Sequence, residues 1–308
     1  MHSITLGRTG LKATIAGLGC GGHSRIGLNL YGLDHAAGIV RAAYDEGVNF
    51  FDTATVYGTQ GAVGKGLEGI PRDTYILSTK FPYKDKTADD MVKTLEESLR
   101  ELKTDYVDLY HLHGVLPADY PRVRDTFVPV MQKLKKEGKI RFPGITELFD
   151  TDTGHEMVQV SLKEDLFDVI MVGYNLLNPS AVERVLPLSL EKNVGVLCMF
   201  AVRKALHDPE QLAKDVRKIL ETGQADPSLV KPENTLDFLT QKGIAASIPD
   251  AAYRFCRHTK GIDIVLTGTG SADHLRQNLR SIQAPPLPAE ALEQLRSMFG
   301  RVDCISGQ

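Results

Sequence analysis

Short apolar runs alternate with longer amphipathic stretches along most of the chain. The runs are five to eight residues long, the length of buried β-strands, and the stretches between them repeat apolar residues at helical spacing. Eight strands are therefore predicted, at residues 14–20, 48–52, 74–80, 106–113, 140–145, 167–172, 194–200 and 262–267.

Helical patterns separate these strands and follow the last of them. They cover residues 34–47, 61–69, 87–102, 151–162, 180–192, 249–258 and 272–281, and a further one ends near Gly138. Strict strand–helix alternation predicts a parallel sheet, because each return to a parallel strand needs a crossover. An open, doubly wound sheet is the alternative arrangement, but it usually opens with a Gly-rich phosphate fingerprint, GxGxxG, which GLGCGG at residues 17–22 does not match. The pattern of eight units therefore favours a closed (β/α)8 TIM barrel, formed by residues 1–308 as a single domain.

Two segments lie outside the alternation. Residues 3–12 contain two short extended runs around GRTG, which predict a β-hairpin across the bottom of the barrel. Residues 201–246 form a long connection after the seventh strand, with a helical pattern at residues 209–222. Long connections at the carboxyl end of a barrel usually carry function, which favours a lid, and an inert helical excursion is the alternative.

Composition and charge narrow the class of protein. The 308 residues are 42% hydrophobic and 24% charged, which is typical of a globular protein with a sizeable core. The formal charge of −3 offers no basic footprint for nucleic acid. No run approaches the roughly 18 apolar residues of a membrane span, and the start lacks the layout of a secretory signal. The four cysteines are widely spaced, which indicates reduced thiols. We expect a cytoplasmic enzyme without membrane or nucleic-acid partners.

Ionisable side chains mark the carboxyl ends of the second, third and fourth predicted strands, where barrel enzymes place catalytic groups. These ends carry Asp52, Lys80 and the pair His111 and His113, and Tyr57 follows five residues after Asp52. Alternate residues of a strand share a face, so His111 and His113 point the same way. Each group alone has an ordinary structural explanation, such as a turn cap or a solvated strand end. Their joint placement on three neighbouring strands favours a site at the barrel mouth.

The residue types in this cluster suit the reduction of a carbonyl by hydride, which requires a proton donor for the developing alkoxide. A free tyrosine, with a pKa of about 10, is poorly matched to neutral pH. A nearby ammonium stabilises the phenolate, so Lys80 is expected to lower the pKa of Tyr57, while Asp52 pairs with Lys80. A neutral histidine can then hydrogen-bond the substrate carbonyl.

A metal site is the alternative for the two histidines, because barrel metallohydrolases bind divalent ions through such pairs. Such a site needs further ligands at other strand ends. The eighth strand ends at Leu266 and Thr267 without a carboxylate. No metal is therefore predicted.

Several separate motifs are spread over nearly the whole chain. They are FFDTATVYG followed by GKGL, then ILSTKF and YVDLYHLH, the opening LGRTGLKATIAGLGCGG, and GKIRFPGIT at the fifth strand. Together, in this order and spacing, they resemble the aldo-keto reductase family. The resemblance implies an NADP(H)-dependent carbonyl reductase with the catalytic tetrad Asp52, Tyr57, Lys80 and His113. In the family's DLYxxH pattern the final histidine is catalytic, which selects His113 over His111.

The resemblance also implies a cofactor site, from which this chain departs in places. The family usually has an Asn after GIT and often a Gln at the end of strand six, where this chain has Glu147 and Met171. The segment LTGTGSADHLRQNL is similar to the family's phosphate- and adenine-binding segment. The implied cofactor-binding residues are Gly21, Thr146, Glu147, Met171, Phe200, Gly268, Thr269, Gly270, Ser271, His274 and Asn278. The basic residues that often bind the 2′-phosphate in the family are replaced here by Gly268 and His274, and Arg276 is nearby in the sequence. NADP(H) is the preferred cofactor, and NAD(H) is the alternative.

The substrate is expected to be a small carbonyl compound or a sugar. Loops at the predicted mouth offer His23 and Tyr83 as substrate contacts, with Arg25 and Arg203 as further polar groups, and the fourth strand offers His111. The pattern indicates no oligomeric state. The alternative function is a nucleotide-binding regulatory or redox-sensing subunit with slow turnover, which the altered carboxamide contacts keep open.

Overall fold

The computed structural model describes residues 1–308 and contains a closed barrel of eight parallel strands. The ten strands of the chain are β1 (Ser3–Thr5), β2 (Lys12–Thr14), β3 (Ala16–Gly19), β4 (Phe50–Asp52), β5 (Ile76–Phe81), β6 (Val107–Val115), β7 (Ile140–Glu147), β8 (Val169–Gly173), β9 (Gly195–Met199) and β10 (Ile264–Thr267). The barrel runs from β3 to β10 in chain order, with β10 closing against β3. The predicted (β/α)8 barrel is confirmed. The predicted hairpin also forms, as the antiparallel pair β1–β2 with Ser3 opposite Thr14.

Helices surround the barrel. They are α1 (Leu28–Asp45), α2 (Gln60–Gly66), α3 (Ala88–Leu102), α4 (Tyr120–Lys136), α5 (Glu156–Glu164), α6 (Ala181–Arg184), α7 (Leu186–Glu191), α8 (Pro209–Glu221), α9 (Asp237–Gln241), α10 (Ile248–Arg257), α11 (Ala272–Gln283) and α12 (Ala289–Phe299). None of them combines the length and apolar character of a membrane span. Short α9 and the terminal α12 had no counterpart among the predicted helices.

Local chemistry explains where the helices begin. At the start of α3, Thr87 accepts a hydrogen bond from Asp90 N, and the Asp90 carboxylate accepts one from Thr87 N, forming a capping box. Helix α5 begins later than predicted because the Asp152 carboxylate caps Glu156 N and Met157 N. The single helix predicted at residues 180–192 is instead two, since a non-helical Val185 precedes the proline of α7.

The strands alternate between two apolar environments. Outward residues pack beneath the helices in a core of 53 buried residues. Inward residues fill the lower half of the barrel together with the hairpin, in a cluster formed by Leu6, Leu11, Ala13, Phe50, Ile76, Leu109, Val169, Met171, Leu197 and Ile264. The hairpin therefore closes the bottom of the barrel, and the polar inward residues lie above this apolar layer.

The long connection after β9 packs as a fixed part of the molecule. Its helices α8 and α9 join α10 and the terminal α12 in a second core of 21 buried residues, which includes Val216, Leu239, Leu295 and Phe299. The terminal α12 therefore packs on the apolar surface that these helices present. This packing favours an inert helical excursion over a lid as the interpretation of residues 201–246.

Candidate active site

A lysine–carboxylate pair lies inside the barrel, above the apolar layer. Lys80 is fully buried and donates hydrogen bonds from Nζ to Asp52 Oδ2 at 2.6 Å and to Thr53 O at 2.7 Å. Ser78, paired in register with Asp52, donates from Oγ to Asp52 Oδ1 at 2.8 Å. Burial alone would lower the pKa of Lys80, but the charges of Asp52 and Tyr57 outweigh it and raise that pKa. Lys80 therefore remains an ammonium.

Tyr57 lies directly over this pair, at the end of the turn Thr55–Tyr57 that follows β4. Its ring centroid is 4.9 Å from Lys80 Nζ. Gly21 packs against the ring so closely that a Cβ there would come within 2.6 Å of Tyr57 Cε2. Burial raises the pKa of Tyr57, and the opposing effect of Lys80 is smaller. The predicted lowering of this pKa is wrong, because the cost of burying a phenolate exceeds the attraction of the ammonium.

His113 completes the group from the fourth barrel strand, β6. Its Nε2 is 3.3 Å from the Tyr57 hydroxyl, and the two rings meet edge to face with centroids 5.5 Å apart. Burial and the charge of Lys80 lower the pKa of His113 to about 3. The imidazole is therefore neutral near pH 7. The structure brings together the four side chains predicted as a tetrad, Asp52, Tyr57, Lys80 and His113.

His111 does not reach the barrel mouth, which corrects its prediction as a substrate contact. It lies in register with Lys80 and Gly144, has 0% exposure, and packs on Gly144 so tightly that a Cβ there has no room. Neither ring nitrogen has a hydrogen-bond partner. Burial, then the charges of Lys80 and His113, lower its pKa well below the usual value. Alternation along the strand correctly predicted that His111 points into the barrel, but it did not predict how far below the mouth the side chain lies.

Replacing His111 with leucine is expected to raise the free energy of unfolding by about 1–3 kcal/mol, the cost of leaving a buried polar group without a partner. Denaturant unfolding would measure the change. The control is His155→Leu, which removes a buried ring whose two nitrogens both have partners and should destabilise the protein. A destabilised His111→Leu variant would mean that the His111 nitrogens are hydrogen-bonded in solution.

The side chains predicted to hold a carboxamide are largely buried. Thr146 Oγ1 accepts a hydrogen bond from Gly114 N at 2.7 Å. Met171, in register with Thr146, belongs to the apolar layer inside the barrel and has 3% exposure. Met171 is therefore corrected to a core residue, since its thioether packs against apolar neighbours and offers neither an amide donor nor a strong acceptor.

Glu147 is likewise corrected, because its carboxylate is fully engaged inside the protein. Glu147 Oε1 accepts from Gly173 N at 2.7 Å, and both of its oxygens lie 3.0 Å from His155 Nδ1. His155 stacks on Phe149 and contacts Ser180 Oγ through Nε2 at 3.1 Å. Burial raises the pKa of Glu147. Sequence reasoning missed His155, which lies eight residues away in a left-handed conformation (φ 62°) that no local pattern signals.

The predicted phosphate segment forms a tight turn into α11. Ser271 caps the helix by accepting from His274 N, and Ser271 N donates to Thr269 Oγ1. Gly268 and Gly270 approach neighbouring backbone at Gly19 and Gly27 so closely that side chains would not fit. At the far end of this region, the Asn278 amide donates to Thr267 Oγ1 at 2.9 Å, and His274 is exposed.

The two substrate contacts predicted in the loops at the mouth, His23 and Tyr83, differ in exposure. His23 is exposed in the loop after β3. Tyr83 is corrected, since it has 1% exposure and its hydroxyl donates to Asp119 Oδ2 at 2.6 Å. Burial and that hydrogen bond raise the pKa of Tyr83 to about 12. For the metal alternative, no group of three or more His, Cys, Asp or Glu side chains is placed to hold an ion.

A buried ammonium beneath a tyrosine and a neutral histidine, at the carboxyl end of a (β/α)8 barrel, is an arrangement that suits proton transfer at a polarised oxygen. A model of the aldo/keto reductase family matches residues 20–299. L-galactose dehydrogenase from Arabidopsis thaliana is 32% identical over 291 residues, covering 90% of this chain and 86% of that protein. The aldo-keto reductase YhdN from Bacillus subtilis is 28% identical, covering 87% and 85%.

Solved structures agree with the sequence relatives. The holo form of the aldo-keto reductase AKR11C1 from Bacillus halodurans superposes with a TM-score of 0.70 at 26% identity, covering 96% of this chain and 95% of that one. The chain belongs to the aldo/keto reductase family, and it is an oxidoreductase enzyme.

Proposed function

We propose that this enzyme reduces an aldehyde or ketone with NADP(H), or oxidises the corresponding alcohol or sugar hydroxyl, with Tyr57 as the proton donor. The contact that carries the proposal is the Tyr57 hydroxyl, 3.3 Å from His113 Nε2 and above the Lys80 ammonium. The Arabidopsis relative is a dehydrogenase of L-galactose, which supports a sugar as the class of substrate.

Each side chain has a separate part in the proposed proton transfer. The bound nicotinamide supplies the hydride. Tyr57 is protonated at neutral pH because its pKa is raised, and it donates its hydroxyl proton to the alkoxide oxygen that develops as the carbonyl is reduced. The Lys80 ammonium stabilises the phenolate left behind, and Asp52 holds Lys80 in position. Neutral His113 donates a hydrogen bond that orients the carbonyl.

The residues at the start of α11 fit the phosphates of a dinucleotide. The backbone N–H groups of Ala272 and Asp273 have no acceptor within the chain, and they lie at the positive end of a twelve-residue helix dipole. Gly268 and Gly270 allow the close backbone approach that this turn requires. The fit of the nucleotide therefore rests on this end, since Glu147 is engaged elsewhere.

NADP(H) is proposed over NAD(H) because two basic side chains flank the same turn. His274 is exposed, and Arg276 makes only exposed ion pairs, with Glu46 at 2.8 Å and Asp273 at 3.1 Å. Exposed pairs contribute at most about 1 kcal/mol, so a 2′-phosphate can displace them. A cytoplasmic location is proposed as well, supported by four free cysteines, three of them buried.

The test is nicotinamide absorbance with purified protein, an activated aromatic aldehyde, and NADPH or NADH. The expected result is rapid oxidation, faster with NADPH than with NADH. Equal or higher rates with NADH would overturn the cofactor preference. Tight nucleotide binding without oxidation of either cofactor would favour the regulatory subunit.

The low pKa of His113 leads us to expect that kcat is independent of pH near neutrality. A depressed histidine pKa of about 3 means that His113 stays neutral from pH 5 to pH 8, and Tyr57 stays protonated over the same range. The value of kcat for reduction, measured at saturating NADPH, should therefore show no inflection between these pH values. An inflection near pH 6.5 that disappears in His113→Gln would contradict the neutral histidine.

A further inference from the structure

Arg203 lies at the barrel mouth, four residues beyond the end of β9. Its guanidinium carbon is 3.9 Å from the centroid of the Phe200 ring. A Cβ placed on Gly22, in the loop after β3, would come within 3.5 Å of Arg203 Nη1. The guanidinium therefore spans the gap between the first and seventh barrel loops. The neighbouring Gly21 packs against the ring of Tyr57, so this gap adjoins the proton donor.

No group of the protein satisfies this guanidinium. Arg203 is half-buried, and the protein groups that act on it do so through the charges of Asp150, Tyr57 and Tyr253, without a hydrogen bond. Arg72, by comparison, uses its guanidinium for four hydrogen bonds, including one to Asp108. Burial lowers the pKa of Arg203, and the charge of Asp150 only partly compensates. Asp150 itself accepts a hydrogen bond from Ser306 Oγ at 2.6 Å.

The surroundings hold the guanidinium in place without neutralising it. Phe200 has a positive φ of 68°, which is a strained conformation for a non-glycine residue. Its ring meets Phe149 edge to face. The ring thus forms a fixed platform for Arg203, because a cation is attracted to an aromatic face. The Arg203 nitrogens are not among the buried atoms that lack a partner, so they stay open to the barrel mouth. A ligand anion can therefore reach these free donors and offset the cost of partly burying the cation.

We propose that Arg203 binds a carboxylate of the substrate, so that the enzyme prefers carbonyl compounds or sugars that carry an anionic group. The inference rests on the proposed reductase function, since it places the anion beside Tyr57. Arginine suits a carboxylate because its planar fork presents two parallel donors. The diphosphate of the nucleotide is the other source of an anion at the mouth, and the experiment separates the two.

The test compares 4-carboxybenzaldehyde with 4-nitrobenzaldehyde, an activated aldehyde without a carboxylate. Arg203→Met is expected to raise KM for the carboxylated aldehyde by about 10- to 100-fold, the loss of a hydrogen bond between charged groups. KM for the nitro compound and the Kd of NADPH, from fluorescence quenching, should stay within about twofold. Arg203→Lys, which keeps the charge but not the fork, should give an intermediate KM. Lys204→Met, which removes the exposed neighbouring cation, is the matched control and should change neither KM.

Three outcomes would overturn the inference. A higher Kd for NADPH in Arg203→Met, with both aldehydes affected equally, would assign the residue to the nucleotide diphosphate. Unchanged KM for both aldehydes would mean that Arg203 binds no anion. Calorimetric binding of 4-carboxybenzaldehyde to wild type and Arg203→Met needs no turnover, so equal affinities there would refute the inference even if the reductase function failed, and weaker binding by the variant would support it.

Discussion

Replacing Tyr57 with phenylalanine is expected to lower kcat for carbonyl reduction by about two to four orders of magnitude, the range of a general acid–base group. The variant loses the only hydroxyl placed between His113 and Lys80 and keeps the ring against Gly21. Nucleotide affinity and thermal stability should therefore change little. Steady-state rates with NADPH and an activated aldehyde would measure the effect.

A matched control comes from a tyrosine on the outside of the barrel. Tyr44 contacts Thr74 Oγ1 through its hydroxyl at 3.1 Å, and Tyr44→Phe should leave kcat unchanged. Near-normal turnover in Tyr57→Phe would remove the phenol from the proposed proton transfer. Equal losses in both variants would point to damaged folding.

Replacing Lys80 with methionine is expected to harm both turnover and stability. Without the ammonium, the phenolate of Tyr57 loses its stabilising charge, and kcat should fall by about two to four orders of magnitude. The buried Asp52 carboxylate also loses its partner. Breaking a buried pair from one side costs about 3–5 kcal/mol. Denaturant unfolding together with steady-state kinetics would measure the two effects.

The double variant Lys80→Met with Asp52→Asn separates the two effects. It removes both charges, so most of the lost stability should return, because a neutral amide is cheaper to bury than a carboxylate. Turnover should stay low. A single variant as stable as wild type would contradict the charged pair, and a double variant with restored kcat would contradict the role of Lys80.

The fold and the inward direction of three polar side chains were predictable because two simple periodicities determine them, whereas the tetrad itself, with Tyr57 and with His113 chosen over His111, came from the family resemblance. Strand–helix alternation predicts a parallel barrel, and the two-residue repeat of a strand predicts that Asp52, Lys80 and His113 point inward. Both are local properties of the chain, so the sequence alone displays them. The inward direction of these side chains agrees with the observed register of β4, β5 and β6.

The rest of the site depends on contacts between distant segments. Alternation predicts the face of His111 but not its depth, which Gly144 on the next strand determines. Glu147 is buried because His155 arrives in a left-handed conformation, and no periodic pattern reports that. The sign of the pKa change at Tyr57 depends on the balance between burial and charge. Each of these is a tertiary property, which a chain read segment by segment does not reveal.

The closed bottom of the barrel has a consequence for isotope exchange. Leu6 and Leu11 close that end beneath an apolar layer, so we expect solvent to exchange with Lys80 and Asp52 from the side of Tyr57. A molecule seated across the opening therefore isolates the buried ammonium from the buffer. Deuterium is expected to enter the buried Lys80 ammonium more slowly in a complex than in the free enzyme, so the ratio of the two exchange rates would report how long each ligand stays bound.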